Sequence, residues 1–175
     1  ERGSYDGWTV EGDCFGSGPV TGTLPNQQPV SGWSGVHYVN TYHNGDGATG
    51  RAVSRPFKVE KRYIHLQVGG GNHPGETCVN LRIDGAVVRS ATGENTERLR
   101  PVRWDVSKFA GQMATLEIVD THTGGWGHIL VGDIVFSDAP VAPFADPASV
   151  RRLREALPFS WTRSERTDGP ASVAP

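Results

Sequence analysis

The chain has 175 residues, enough for one ordinary domain with a hydrophobic core and a tail, and too few for two comfortable domains. Its 17 Lys and Arg residues against 19 Asp and Glu residues give a formal net charge of −2, so we expect neither nucleic acid nor an anionic membrane as a partner. No apolar run approaches the ~18 residues of a membrane span, and no charged-then-apolar leader opens the chain.

The short apolar runs of the chain predict an all-β fold. Glycine (23 residues) and proline (12 residues) are frequent, and they separate short runs rich in Val, Ile and Thr, as in proteins built from many short strands. The predicted strands are residues 8–10, 36–39, 52–53, 63–68, 77–83, 86–91, 102–106, 114–119 and 129–136. This spacing indicates a jelly-roll-like antiparallel β-sandwich over residues 5–138.

A β-hairpin over residues 77–92 is the central feature of the predicted fold. Its turn is Asp84-Gly85, a pair that accepts the positive φ angles of a type I′ turn. Counting outward from a two-residue turn gives the cross-strand pairs Ile83 with Ala86, Arg82 with Val87, Leu81 with Val88, Asn80 with Arg89, and Val79 with Ser90. In this register Asn80 and Arg89 lie opposite each other on the face directed away from the core.

The composition changes after residue 138. Residues 139–147 (APVAPFADP) indicate a proline-rich linker, and Asp146 and Pro147 suit the cap and first turn of a short basic helix over residues 147–157. Residues 160–175 are polar and poor in apolar side chains, which is typical of a tail or of a further linker. Residues 139–175 are therefore expected to form a linker, a short helix and a tail outside the sandwich.

The two cysteines, Cys14 and Cys78, lie far apart and match no metal-binding or redox spacing. They are compatible with one disulfide or with two separate buried thiols, because a chain with this much core does not need a bridge. The cysteines therefore do not indicate a cellular compartment.

Three loops combine glycines with hydrogen-bonding side chains: residues 43–50 (HNGDGATG), 69–76 (GGGNHPGE) and 122–128 (HTGGWGH). The third loop suits a sugar, because C–H faces can stack on Trp126 while neighbouring polar groups bind hydroxyls. The alternative is that Trp126 closes one end of the sandwich and the glycines only form the turn. The three glycines at 69–71 lack the Lys-Ser/Thr and the helix of a phosphate-binding loop, which argues against nucleotide binding.

The sequence also allows two kinds of metal site. His73, His122 and His128 could supply a zinc site, although backbone carbonyls commonly satisfy histidines that no carboxylate orients. A structural calcium ion is the better candidate. Its oxygen ligands would be Glu11, Asp13, Asp120 and Asp133. The alternative for these carboxylates is that they cap backbone amides in turns.

No catalytic constellation is evident. A hydrolase needs a nucleophile beside a base, or two carboxylates set across a cleft. Asp46 and Glu76 lie in polar loops, but nothing in the sequence ties them to each other. No G-x-S-x-G or H-E-x-x-H signature is present. We therefore expect a non-catalytic chain.

Several motifs follow one another in a fixed order between residues 5 and 138. They include WTVEGD (8–13), VSGWSG (30–35), GDGATG (45–50), GGGNHPGETCVNL (69–81), VVRSATG (87–93), WDVS (104–107) and GGWGHI (124–129). This series resembles the carbohydrate-binding modules associated with family 32 glycoside hydrolases, which typically sit beside a fructan-cleaving β-propeller. Among the inulin- and levan-associated modules, family 38 is the closest label, and family 66 is a second fructan-binding comparison.

The resemblance implies a non-catalytic, secreted module, extracellular or periplasmic, that holds a fructan hydrolase on its substrate. Its motif segments contain the expected ligand-contacting residues Asn72, His73, Asn80, Arg89, Trp126 and His128, with the loop around Asp46 as the alternative location. In the expected site Asn80 and Arg89 bind sugar hydroxyls and Trp126 packs against the ring. Two departures stand out: the W-M-N-D-P-N-G nucleophile segment of the propeller is absent, and Cys14 replaces an expected small residue.

Three functions therefore remain for the structure to distinguish. The first is a binding module for β-fructosides such as inulin, levan or a terminal fructose. The second is a structural or protein-interaction module that packs against a catalytic domain, which predicts a broad exposed apolar face. The third is a stand-alone glycosidase, which requires a suitably spaced pair of carboxylates.

Overall fold

The computed structural model of the protein describes residues 5–140 and residue 144. The predicted helix over residues 147–157 and the polar tail over residues 160–175 lie outside the described residues. No helix in the described part is long and apolar enough to cross a membrane.

Eleven strands are found in the described part of the chain. They are β1 (Trp8–Gly12), β2 (Val39–Asn40), β3 (Gly50–Ser54), β4 (Phe57–Lys58), β5 (Tyr63–Gly70), β6 (Thr77–Ile83), β7 (Ala86–Thr92), β8 (Thr96–Asp105), β9 (Met113–Asp120), β10 (Ile129–Val131) and β11 (Val135–Ser137). Two single-turn 3-10 helices, Tyr42–Asn44 and Ser107–Phe109, complete the regular structure of this part.

The strands form two sheets that pack face to face. The first sheet has the order β1-β3-β9-β6-β7, with β4 also paired to β9, and the second has the order β11-β5-β10-β2, with β8 also paired to β5. All of these strand pairs are antiparallel. Alternate side chains of both sheets fill the core between them, among them Ile64, Leu66, Leu81, Leu116 and Ile118. The predicted antiparallel β-sandwich is confirmed.

The predicted strand over residues 36–39 is reduced to β2 (Val39–Asn40), and two longer strand predictions were also wrong in extent. The run over residues 129–136 divides into β10 and β11, and between them the Gly132 N–H donates to the Gln67 carbonyl. Strand β8 begins at Thr96 rather than at residue 102, because its pairing with β5 extends past Pro101. Charged residues and a proline had obscured the strand pattern in that segment.

The hairpin turn is as predicted, but the register beyond it is not. Asp84 and Gly85 have φ angles of 49° and 78°, which fits the expected type I′ turn. The pairing shifts between Leu81 and Arg82, so that Leu81 lies opposite Arg89 and Asn80 lies opposite Ser90. A β-bulge inserts one unpaired residue into a strand. Beyond it, the cross-strand partners are shifted by one residue, so partners predicted to share a face of the sheet lie on opposite faces. The predicted pair of Asn80 with Arg89 is therefore wrong, and the two side chains lie on opposite faces of the sheet.

Substitution of Gly85 tests the contribution of the turn. A Cβ atom at this position would meet nothing within 4 Å, so the cost of Gly85→Val comes from the backbone alone. A β-branched residue at positive φ should lower the free energy of unfolding by about 1–2 kcal/mol. Urea titration measures the change, with Gly22→Val as the matched control, since Gly22 also has open space but no positive φ. Equal stability of the two variants would contradict the expectation.

Cys14 and Cys78 are both buried free thiols. Cys14 belongs to the core between the sheets. Val79 points into the same core, so the preceding residue of β6, Cys78, faces the other side of the sheet. The two side chains therefore lie on opposite sides of the first sheet, which explains why they do not form a disulfide.

Candidate functional site

The three glycine-rich loops meet at one end of the sandwich, here called the loop end (residues 43–50, 69–76 and 122–128). The strand ends that flank these loops lie side by side, since Gly50 pairs with Asp120 and Ile129 pairs with Gly70. The loops also contact one another directly. The Trp126 N–H donates to Asp46 Oδ2 at 3.2 Å, and His73 Nε2 lies 3.2 Å from the Gly125 carbonyl oxygen. Segments that are far apart in the sequence thus build one surface.

A buried imidazole between two carboxylates lies at the centre of the loop end. His128 is only 2% exposed. Its Nδ1 atom lies 2.7 Å from Asp46 Oδ1, and its Nε2 atom lies 3.2 Å from Glu97 Oε2. Burial alone would lower the pKa of His128, but the two carboxylates outweigh it and raise the pKa above its ordinary value. We call this group the Asp46–His128–Glu97 array.

The array is extended by the side-chain amides of Gln27 and Asn40. Gln27 Nε2 donates to Glu97 Oε2 at 3.0 Å, and Asn40 Nδ2 donates to Gln27 Oε1 at 2.7 Å. Glu97 therefore accepts hydrogen bonds from both His128 and Gln27, which satisfies a carboxylate that is 8% exposed. The network joins β8, β2, the segment around residue 27 and the loop end into one rigid unit.

Two aromatic rings cover the array from the surface side. Trp126 stacks against His128 with ring centroids 5.8 Å apart, and Tyr42 meets the same imidazole edge-on at 5.0 Å. Both aromatic residues are partly exposed. Trp126 has a φ of 62°, a strained conformation for a bulky residue that its hydrogen bond to Asp46 helps to hold. Trp126 is thus packed against the array and partly exposed, and its role as a plug or as a ligand contact stays a prediction.

A second histidine pair lies beside the array. His73 and His122 stack face to face, with centroids 3.6 Å apart and planes inclined by 13°. His122 Nδ1 lies 2.6 Å from Glu76 Oε2. The nitrogens of His128 are occupied by Asp46 of the loop end and by Glu97 of β8. Within residues 5–140 and at residue 144, no group of three or more His, Cys, Asp and Glu side chains is arranged to hold a metal ion.

Asp120 is a fully buried carboxyl group beneath the loop end. Burial raises its pKa to about 7, and the Thr41 hydroxyl and the charge of His128 only partly oppose this effect. The Cys14 thiol lies close to the same carboxyl group. Asp120 is therefore protonated in much of the acidic range.

The four carboxylates expected to bind calcium lie in different settings. Glu11 lies exposed on β1, Asp13 Oδ1 accepts from the Thr49 N–H, and Asp133 Oδ2 accepts from the Ser34 hydroxyl. Asp120 is buried on the core side of the loop end. The described part of the chain brings no three of these carboxylates together in a metal-binding group. Asp13 accepts from a backbone N–H, as in the alternative, whereas Asp133 accepts from a side-chain hydroxyl. Calcium binding itself stays a prediction for metal titration.

Asn80 and Arg89 lie away from the loop end. The Asn80 amide donates to Glu117 Oε2 at 3.1 Å on the outer face of the first sheet, where Arg51 and Arg82 also pair with Glu117. Arg89 donates to the Asp105 carbonyl oxygen at 2.6 Å and lies over the Phe109 ring. The expected ligand site that joined these two residues to Trp126 is therefore not formed.

The other expected ligand residues lie in or beside the loop end. Asp46, Trp126 and His128 are in direct contact, and His73 borders them through Gly125. Asn72 is exposed at the end of β7, where its side chain accepts from the Thr92 hydroxyl at 3.2 Å. The predicted site residues did not include Glu97, Gln27 and Tyr42. The only signal for Glu97 was its place two residues before the buried Leu99, which puts both side chains on one face of a strand.

The chain was compared with known proteins in sequence and in fold. No protein-family model matches the chain. The chain is 45% identical over 132 residues to the Aspergillus rugulosus protein named "putative glycosyl hydrolase ecdE", which covers 75% of this chain and 19% of that protein. This chain therefore spans about a fifth of the length of that relative.

Among solved structures, the K3 cleaved adhesin domain of Lys-gingipain from Porphyromonas gingivalis aligns with a TM-score of 0.50 and 10% identity, over 77% of this chain and 94% of that domain. The carbohydrate-binding module TmCBM61 in complex with β-1,4-galactotriose aligns with a TM-score of 0.46 and 14% identity, over 75% of this chain and 88% of that one. The adhesin domain has a similar fold, and the Aspergillus rugulosus protein is similar in sequence over a segment that makes up 75% of this chain.

Proposed function

We propose that this chain is a non-catalytic carbohydrate-binding module whose ligand site is the loop end. The observation that carries the proposal is the combination of two partly exposed aromatic rings, Trp126 and Tyr42, around the Asp46 carboxylate. A sugar needs an aromatic surface for its C–H face and fixed polar groups for its hydroxyls. Asp46 is one-third exposed and is held by two hydrogen bonds, so it offers a preorganised acceptor.

The proposed ligand is a β-fructoside such as inulin, levan or a terminal fructose. Support for this specificity comes from the ordered motifs that resemble fructan-binding modules, including GGGNHPGE and GGWGH, both of which lie in the loop end. The Aspergillus rugulosus relative supports a link to a glycoside hydrolase, because its name is that of a glycosyl hydrolase. In this proposal the module is extracellular and holds a fructan hydrolase on its substrate.

Retardation in affinity gels tests the binding function. Gels that contain inulin or levan should slow the protein, and gels that contain an unrelated β-glucan should not. Trp126→Ala should abolish retardation, because a shallow site with an affinity on the order of 10 μM to 1 mM has little binding energy to lose. Trp8→Ala is the matched control, since Trp8 packs against the core from β1. If Trp126→Ala migrates like the parent in every gel, the loop end is not the site.

The glycosidase alternative is tested in the same preparations. Asp46 and Glu97 both contact one imidazole, and Glu97 is buried, so they do not flank an open cleft in the manner of a glycosidase pair. We expect no release of fructose from inulin, levan or sucrose. Steady release that disappears in Asp46→Asn would establish a hydrolase instead.

A protein-interaction role has less support. The large hydrophobic residues exposed in the described part of the chain are Val36, Val87 and Met113. They lie on a loop, on β7 and at the start of β9, so they do not form the broad apolar face that this alternative predicts.

A further inference from the structure

We propose that Glu97 is a positioning residue of the candidate carbohydrate site, which holds the His128 ring from the buried side and through it fixes Asp46 and Trp126 at the surface. The inference rests on the proposed function. Nothing in the sequence motifs singles out Glu97, which lies between the GGGNHPGETCVNL and WDVS segments.

The geometry forms a relay from the interior to the surface. Glu97 Oε2 lies 3.2 Å from His128 Nε2, and His128 Nδ1 lies 2.7 Å from Asp46 Oδ1. The second oxygen of Asp46 accepts from the Trp126 N–H at 3.2 Å. His128 contacts Glu97 and Asp46 through different ring nitrogens, and Asp46 contacts His128 and Trp126 through different oxygens. The position of Trp126 therefore depends on the position of the His128 ring. Glu97 is too deeply buried to contact a ligand itself.

The relay also needs a particular protonation state. Ionised carboxylates such as those of Asp46 and Glu97 can only accept hydrogen bonds, and a neutral imidazole has one N–H donor. Donation to both carboxylates therefore requires the doubly protonated ring. The other groups that face His128 are the Tyr42 ring from the 3-10 turn, the Trp126 ring from its own loop, and Asp120 from β9, whose carboxyl group interacts with the charge of His128 when Asp120 is ionised. Deprotonation of His128 would leave a nitrogen lone pair facing a carboxylate and loosen the relay.

Glu97→Gln separates positioning from simple structural support. A glutamine amide can donate to the lone pair of a neutral imidazole, so this variant no longer needs the protonated ring. In the NMR titration of His128, assigned with a His128→Gln variant, the midpoint should fall by at least about one pH unit, because one adjacent opposite charge is lost. Parent binding to inulin or levan should weaken as the pH rises through its His128 midpoint. Binding by Glu97→Gln should stay level over the same range.

Two further variants complete the experiment. Glu97→Leu removes the inner contact and should weaken retardation at every pH. Glu117→Gln is the matched control: it neutralises another buried carboxylate, on the outer face of the first sheet, and should leave both the His128 midpoint and the pH profile of binding unchanged.

The outcomes are distinguishable. A His128 midpoint that is the same in the parent and in Glu97→Gln, or a Glu97→Leu variant that binds as the parent does, overturns the positioning role. Absence of retardation by any saccharide in the parent overturns the proposed function, while the His128 titration, which needs no ligand, still decides whether Glu97 controls the ring.

Discussion

The free energy of unfolding of the parent should fall between pH 4 and pH 7, and Asp120→Asn should remove most of this decrease. Folding raises the pKa of Asp120 from an ordinary 3.8 to about 7, chiefly because the carboxyl group is fully buried. A shift of this size corresponds to about 4 kcal/mol of linked free energy. Urea titrations of both proteins at several pH values measure the effect.

The sign follows from proton binding. Between these two pKa values the folded state binds more protons than the unfolded state, so the free energy of unfolding falls as the pH rises. The contribution of Asp120 is complete below the pKa of an unfolded aspartate, ~3.9, and is lost as the pH rises through the folded value. An asparagine does not ionise, so the variant should be less dependent on pH and more stable than the parent at pH 8.

Asp105→Asn provides a control of opposite sign. Hydrogen bonds from Ser107, assisted by Arg62, lower the pKa of Asp105. A lowered pKa contributes stability above the unfolded value and loses it as the pH falls, so Asp105→Asn should destabilise the protein at neutral pH and leave the slope between pH 4 and 7 intact. If the free energy of unfolding of Asp120→Asn changed with pH as steeply as that of the parent, Asp120 would be ionised throughout the range from pH 4 to pH 7.

His128→Ala should destabilise the protein at pH 6 by about 3–5 kcal/mol. The substitution leaves Glu97 buried without its imidazole partner and removes the ring against which Trp126 and Tyr42 pack. Because folding raises the pKa of His128, its electrostatic contribution is complete below the unfolded value of ~6.5 and is lost as the pH rises through the folded one. The difference between variant and parent should therefore be smaller at pH 9 than at pH 6.

A double variant checks the cause and remains measurable if the single variant does not fold. His128→Ala combined with Glu97→Leu replaces the stranded carboxylate by an apolar side chain, and should recover part of the lost stability. Should the double variant be less stable than His128→Ala alone, the cost of the single substitution would be lost packing rather than an unpaired buried charge.

The hairpin shows how far local sequence information extends. Asp84-Gly85 determines the turn because few residue pairs accept two positive φ angles in succession. The bulge that follows the turn depends on how β7 pairs with β6. No residue between Ala86 and Thr92 predicts it from the sequence. A shift of one residue reverses the faces, and for this reason Asn80 and Arg89 were assigned to one site when they occupy two different surroundings.

The loop end was likewise only partly predictable from the sequence. Glycine-rich polar loops with a tryptophan are visible in the sequence, and they indicated the region in which Asp46, Trp126 and His128 lie. They did not indicate that His128 would be buried. Their joining into one array required the starts of β3 and β10 and the end of β5 to lie at the same end of the sandwich. Glu97 and Gln27 come from outside these loops, and their contribution depends on burial, which a charged or amide residue in a sequence does not reveal.

The sequence by itself determined the all-β class, most of the strands, the central turn and the three loops that meet at the loop end, because strand period and turn chemistry are local properties of neighbouring residues. Only the tertiary structure decided the hairpin register, the separation of Cys14 from Cys78, the burial of Asp120 and the enclosure of His128 between Asp46 and Glu97. These features depend on contacts between residues far apart in the sequence, such as His128 and Asp46, which are 82 positions apart, and such contacts form only when both sheets pack against each other.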